Sequence, residues 1–153
     1  MKKKHSASIR GTLRASGLVL LDGFLLNLIW ENAQAPLYLD YSGFYSHLKI
    51  CFVAAVVDAL VILLLYLLLV AYNQNLYWPM GAGPWQYLFL TLLGGLLAVW
   101  FEKWALQGGE WSYTEVMPIV PVLRVGLFPL LQLMVLPIIA CWVSSCIVRP
   151  HLT

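Results

Sequence analysis

Four long apolar stretches dominate the chain, and polar residues are confined to their ends and to a few isolated positions within them. Each stretch is long enough to cross about 30 Å of hydrocarbon as a helix rising about 1.5 Å per residue. The predicted spans are about residues 17–35, 48–71, 85–106 and 124–148. The pattern therefore predicts an all-α integral membrane four-helix bundle, with short tails at residues 1–16 and 149–153.

Composition supports a membrane class. Of the 153 residues, 61% are hydrophobic and only 10% are charged, and the mean hydropathy is +0.81. Such values are typical of membrane proteins rather than soluble domains. Because the spans take up most of the chain, the sequence leaves no room for a soluble catalytic domain, a nucleotide-binding fold or a receptor module.

Basic residues are concentrated before the first span and after the last: Lys2, Lys3, Lys4, Arg10, Arg14 and Arg149. The positive-inside rule then predicts that both termini are cytoplasmic, in a bacterial inner membrane. We interpret the basic tail as this orientation signal, and we expect no nucleic-acid partner. A cleaved signal peptide is disfavoured because Asp22, Asn27 and Glu31 interrupt the apolar run.

Small residues and prolines in the third and fourth spans indicate how these helices pack. Gly94 and Ala98 lie four residues apart in the third span, and small residues at this spacing allow two helices to approach closely. We predict a packing notch there. In the fourth span, Pro129 and Pro137 predict a kink, because proline removes a helical hydrogen-bond donor. The amide of Gln132 is expected to satisfy the freed carbonyls or to bind a ligand.

Polar residues within the spans are functional candidates, since an acid in the membrane is costly unless it is paired, wetted or neutralised. In the first span Asn27, Glu31 and Gln34 are spaced to form one stripe along the helix. Asp58 is predicted near the membrane midplane and Glu102 near the end of the third span.

The predicted topology places several polar side chains together at the extracytoplasmic side, where they form an outward-facing polar pocket. The catalytic candidates are Glu31, Glu102, His47 and Asp58. The substrate-binding candidates are Gln34, Trp111, Tyr113, Arg124 and Gln132.

Two kinds of chemistry suit these residues. Glu31 and Glu102 can divide into acid and base and so isomerise, cyclise or hydrate a lipid or an isoprenoid. Alternatively, Glu31, His47 and Glu102 can bind a divalent metal, although the sequence requires no cofactor. A structural interpretation stays open, in which Glu31 forms an ion pair with Lys49 or Arg124.

Three function classes therefore remain. The first is an enzyme that acts on a membrane lipid. The second is a non-catalytic membrane subunit or scaffold of a larger complex. The third is a transporter, which would have to be a homo-oligomer because four spans rarely enclose a path alone.

Spaced motifs across about residues 18–140 resemble an uncharacterised family of small bacterial four-span membrane proteins. The motifs are Trp30-Glu31-x-x-Gln34-x-Pro36-Leu37-Tyr38, His47, Asp58, Glu102, Trp111, Tyr113, Met117-Pro118 and Pro129-Leu130-Leu131-Gln132. This resemblance implies a similar bundle and supplies no activity. Glu102 followed by Trp111-Ser112-Tyr113 is more weakly similar to membrane lycopene cyclase domains. The Pro-x-Glu-Glu element of those domains is replaced here by Pro129-Leu130-Leu131-Gln132.

Overall fold

The computed structural model describes residues 9–148, which form four long helices. These are α1 (Ile9–Gln34), α2 (Phe44–Asn73), α3 (Pro84–Gly108) and α4 (Leu127–Val148). All four are long and apolar enough to cross a membrane, which confirms the all-α prediction and its membrane character. Lys2, Lys3, Lys4 and Arg149, on which the predicted orientation depends, lie outside the described residues.

Three helix starts differ from the predictions. Helix α2 begins at Phe44 rather than near residue 48, so His47 lies within it. Helix α1 begins at Ile9 rather than near residue 17, so Arg10 and Arg14 are helical and extend α1 beyond its apolar part. Helix α4 begins at Leu127 rather than at residue 124. Arg124 instead lies in a turn with a positive φ of 55°, and its N–H donates to the Val120 carbonyl at 2.7 Å.

A small β-hairpin occupies the connection between α3 and α4. Strand β1 (Ile119–Val120) pairs antiparallel with strand β2 (Val125–Gly126). Strand β2 lies where the fourth predicted span, about residues 124–148, was expected to begin. The hairpin holds Met117 and Val125 in buried positions against the start of α4.

The connections that follow α1 and α3 are hydrogen-bonded to each other. The Leu39 N–H donates to the Ser112 carbonyl and the Thr114 N–H to the Leu37 carbonyl, both at 2.9 Å. Tyr38 and Tyr113 form the bridge between the two segments. We call this end of the bundle the paired-loop end. It covers the last turns of α1 and α3 and the first turns of α2 and α4.

Helix α1 packs between α2 and α4, and α3 packs mainly against α4. At the first interface, Gly23 of α1 lies against the main chain of Ala59 in α2. At the second, Gly94 of α3 lies directly on the main chain of Leu133 in α4, and Ala98 is also buried there. The predicted packing notch at Gly94 and Ala98 is confirmed.

Candidate functional site

The side-chain amide of Gln132, which is itself buried, is the centre of a polar cluster near the paired-loop end. Its Nε2 lies 2.7 Å from Glu31 Oε1, 2.7 Å from Asp58 Oδ2 and 2.9 Å from Asn27 Oδ1. Its Oε1 accepts a hydrogen bond of 2.9 Å from Gln34 Nε2. We call these five residues, contributed by α1, α2 and α4, the amide–carboxyl cluster.

The first helix supplies three of its members because of their spacing. Asn27, Glu31 and Gln34 lie on one face of α1, as the stripe predicted. Gln34 Nε2 also donates to Glu31 Oε1 at 3.1 Å. Gln132 enters from the second turn of α4, and its amide contacts side chains rather than carbonyls freed by prolines. The interpretation of Gln132 as a partner for such carbonyls was therefore wrong.

Glu31 and Asp58 meet at the same amide. Glu31 Oε1 and Asp58 Oδ2 each lie 2.7 Å from Gln132 Nε2. Two charged carboxylates at this separation repel each other, and a proton on one of the two removes that repulsion. The amide of Gln132 also has only two hydrogens for three acceptors. Both facts favour one protonated carboxyl group in the pair.

Among the described residues, Glu31 does not form the interfacial ion pair with Lys49 or Arg124 that the sequence allowed. Lys49 and Arg124 are exposed, and among residues 9–148 the hydrogen-bond partners of Glu31 are the amides of Gln34 and Gln132. The acids of the cluster are therefore stabilised by amides rather than by a cation.

Glu102 forms a second polar site with the paired loops. The Tyr113 hydroxyl donates to Glu102 Oε2, and Trp111 Nε1 donates to the same oxygen at 3.4 Å. The Tyr113 oxygen in turn accepts the N–H of Gly126 at 3.0 Å. Burial, and then the hydrogen bond to Glu102, raises the pKa of Tyr113 above its ordinary value. Trp111 and Tyr113, which were expected to bind a substrate, thus contact the candidate acid Glu102.

The expected acid/base pair of Glu31 and Glu102 is replaced by two separate arrangements. Glu31 shares the amide of Gln132 with Asp58, whereas Glu102 is hydrogen-bonded to Tyr113 and Trp111. Asp58, predicted to lie beneath the pocket, is at the level of Glu31.

Two predicted members of the site lie elsewhere. The buried imidazole of His47 packs edge-on against the ring of Tyr41, at 5.5 Å between ring centroids. Arg124 points to the surface from the turn of the hairpin. Among residues 9–148 no three His, Cys, Asp or Glu side chains are grouped to hold a metal ion. Glu31, His47 and Glu102 therefore do not form the metal site that the sequence allowed.

The sequence did not predict two further polar contacts that the structure shows. Asn27 was seen only as part of the stripe, yet it is fully buried and contacts Gln132. Ser144 of α4 donates to Asp22 Oδ2 at 2.6 Å, farther from the paired-loop end. The distance in sequence between Asp22 and Ser144 leaves no local pattern that could have predicted this contact.

Comparison with known proteins identifies no relative. The chain matches no protein-family model, and neither the curated proteins nor the solved structures contain a match to it.

Proposed function

We propose that this protein is a membrane enzyme that performs acid/base chemistry on a lipophilic substrate, with the Glu31–Asp58 pair as its proton donor and acceptor. The observation that carries the proposal is the convergence of two carboxyl groups from different helices on one amide, without a basic partner among residues 9–148. Acids inside a membrane are costly, and those that are kept there usually serve a function.

A shared proton suits this chemistry. A carboxyl pair that holds one proton offers a general acid and a general base at the same place. Proton transfer to a carbon–carbon double bond, followed by proton loss or addition of water, gives isomerisation, cyclisation or hydration. Each of these reactions balances with the proton of the pair and, for hydration, one water molecule.

Glu102, Tyr113 and Trp111 are the second part of the proposed site. The phenol and indole hold the carboxylate of Glu102 under the paired loops. There it would stabilise positive charge that develops on a protonated polyene. We place the paired-loop end on the extracytoplasmic side of a bacterial inner membrane, with both termini in the cytoplasm, as the basic residues predict.

The test compares lipids from a gene-deletion strain complemented with the unchanged protein or with Glu31→Gln or Asp58→Asn. Both substitutions keep the size of the side chain and its ability to hydrogen-bond but remove the transferable proton. We expect the lipid species that distinguishes complemented from deleted cells to disappear with either variant. Mass spectrometry of total lipid extracts provides the measurement.

Glu115→Gln is the matched control, because Glu115 is exposed in the connection after α3. It should restore the lipid profile fully. If Glu31→Gln and Asp58→Asn restore the profile as well, while each variant is present at normal level, the enzyme proposal fails. A scaffold would give a different result, with an unchanged lipid profile and the loss of a co-purifying membrane protein in both variants.

A further inference from the structure

Three buried polar atoms on α1 have no hydrogen-bond partner among the described residues: Ser16 Oγ, the indole Nε1 of Trp30 and the side-chain Oε1 of Gln34. Trp30 and Gln34 are close together near the end of α1, and Gln34 belongs to the amide–carboxyl cluster. Gln34 is only 4% exposed, so surrounding solvent does not satisfy its oxygen. Buried donors and acceptors are nearly always paired in proteins, and an exception calls for a physical reason.

The orientation of the Gln34 amide follows from its neighbours. The Gly23 carbonyl can only accept, so the Asn27 Nδ2 at 2.7 Å from it must be the nitrogen. Asn27 Oδ1 then faces Gln132, which fixes the Gln132 nitrogen on that side and its oxygen toward Gln34. Gln34 must present its nitrogen to that oxygen, and its own Oε1 is left unpaired.

The unpaired atoms of Trp30 and Gln34 have opposite character and lie on the same side of α1. Trp30 and Gln34 are separated by four residues, about one helical turn, and therefore share a face. The indole nitrogen can only donate, and the amide oxygen can only accept. One group that accepts from Trp30 and donates to Gln34 would satisfy both atoms.

A hydroxyl group has this property, whereas an ether or a carbonyl only accepts. A carboxylate also only accepts, and it would lie beside the acids of the cluster, since Gln34 Nε2 is 3.1 Å from Glu31 Oε1. Trp30 packs against the apolar core, and both residues belong to a membrane-spanning helix. The ligand is therefore apolar apart from its hydroxyl group.

We propose that Trp30 and Gln34 form a subsite for the hydroxyl group of a lipophilic alcohol, beside the Glu31–Asp58 pair. The inference rests on the proposed function and deepens it by naming the substrate class. An alcohol in this position lies next to a proton donor. Protonation of its oxygen, departure of water and loss of a proton to the pair would give an alkene, and the reverse sequence would hydrate one.

Photolabelling of the purified full-length protein in detergent tests the subsite without any turnover. The probes are a diazirine-bearing isoprenoid alcohol and its O-methyl ether, which accepts from Trp30 but cannot donate to Gln34. We expect the alcohol to half-saturate labelling at a concentration about fivefold or more below that of the ether. The label should map to the peptide that contains residues 30–34.

Two variants separate the roles of the two atoms. Gln34→Met removes the acceptor at nearly constant length, so the preference for the alcohol over the ether should disappear. Trp30→Phe removes the donor that both probes use, so both should weaken while the preference remains. Gln107→Met and Trp104→Phe are matched controls, because both residues are exposed on the last turns of α3.

The comparison of the alcohol and ether probes uses the unchanged protein, so it tests the subsite even if a variant does not fold. Equal half-saturation by alcohol and ether, labelling outside residues 30–34, or no labelling by either probe would overturn the subsite. The proposed function fails separately, through an unchanged lipid profile in the Glu31 and Asp58 variants, because photolabelling measures binding alone.

Discussion

Gly94 of α3 lies directly on the main-chain carbonyl of Leu133 in α4. This is the carbonyl that would accept the helical hydrogen bond of residue 137, where proline has no N–H to donate. Pro137 thus leaves the Leu133 carbonyl without its helical donor, and Gly94 of the neighbouring helix covers this oxygen. A contact between the glycine Cα–H and this oxygen partly replaces the missing bond.

Gly94→Ala should strongly destabilise the bundle. A Cβ at this position would overlap the Leu133 oxygen, which belongs to the backbone and cannot rotate away. We expect a loss of about 3 kcal/mol or more in the free energy of unfolding, because overpacking against a main chain forces the two helices apart. The measurement is the unfolding midpoint of the purified protein in detergent.

Gly17→Ala provides the control, since a Cβ on Gly17 of α1 would meet nothing within 4 Å. Alanine has a higher helix propensity than glycine, so this variant should be as stable as the unchanged protein or gain up to about 1 kcal/mol. Equal effects of the two substitutions would contradict the close contact between Gly94 and Leu133.

Tyr113 should make the fold sensitive to alkali. Burial and its bond to Glu102 raise its pKa in the folded state, whereas an unfolded tyrosine ionises near pH 10. The stabilisation that comes from a neutral Tyr113 is therefore fully present below about pH 10 and is lost as the pH rises further. The unfolding midpoint should fall steeply above this pH.

In Tyr113→Phe, the protein should be less stable at neutral pH, because Glu102 and the Gly126 N–H each lose a partner. Its midpoint should, however, depend less on pH above about pH 10. Tyr45→Phe is the comparison, since Tyr45 is 90% exposed. An alkaline slope that is the same in both variants would show that Tyr113 does not titrate with unfolding.

The bond between Gln34 and Gln132 should appear as an energetic coupling. Gln34→Met and Gln132→Met each leave the other amide with an unpaired group, whereas the double variant removes both groups. We expect the sum of the losses of stability in the two single variants to exceed the loss in the double variant by about 1 kcal/mol. A cycle of Gln34→Met with Gln107→Met should instead be additive within about 0.5 kcal/mol.

The four helices could be predicted because each contains a long apolar run. The start of α1 and the two short strands could not, for physical reasons. Hydropathy measures the part of a helix that suits hydrocarbon, so the polar turns around Arg10 and Arg14 were assigned to a tail although they are helical. The strands near Arg124 are two residues long, which is too short for any alternation of apolar and polar positions. Their pairing depends on the turn between them.

The site was predicted better along each helix than between helices. Spacing alone placed Asn27, Glu31 and Gln34 on one face of α1. The choice of Asp58 rather than Glu102 as the partner of Glu31 depends on how each helix is rotated and how closely it packs. The contact of Gly23 with the Ala59 main chain brings α1 onto α2 in this region. A single sequence contains no signal for that rotation.

The shared proton of Glu31 and Asp58 should be visible by infrared spectroscopy. A protonated carboxyl group has a carbonyl stretching band that is separate from the bands of carboxylates and shifts in D₂O. We expect this band at neutral pH in the unchanged protein and its loss in both Glu31→Gln and Asp58→Asn. Either substitution leaves one carboxyl group in the pair, and the new amide side chain can donate a hydrogen bond to it, so the carboxyl group no longer needs a proton. Glu110→Gln changes an exposed acid after α3 and should retain the band. A band that survives both cluster variants would place the proton on another acid and would contradict a proton shared by Glu31 and Asp58.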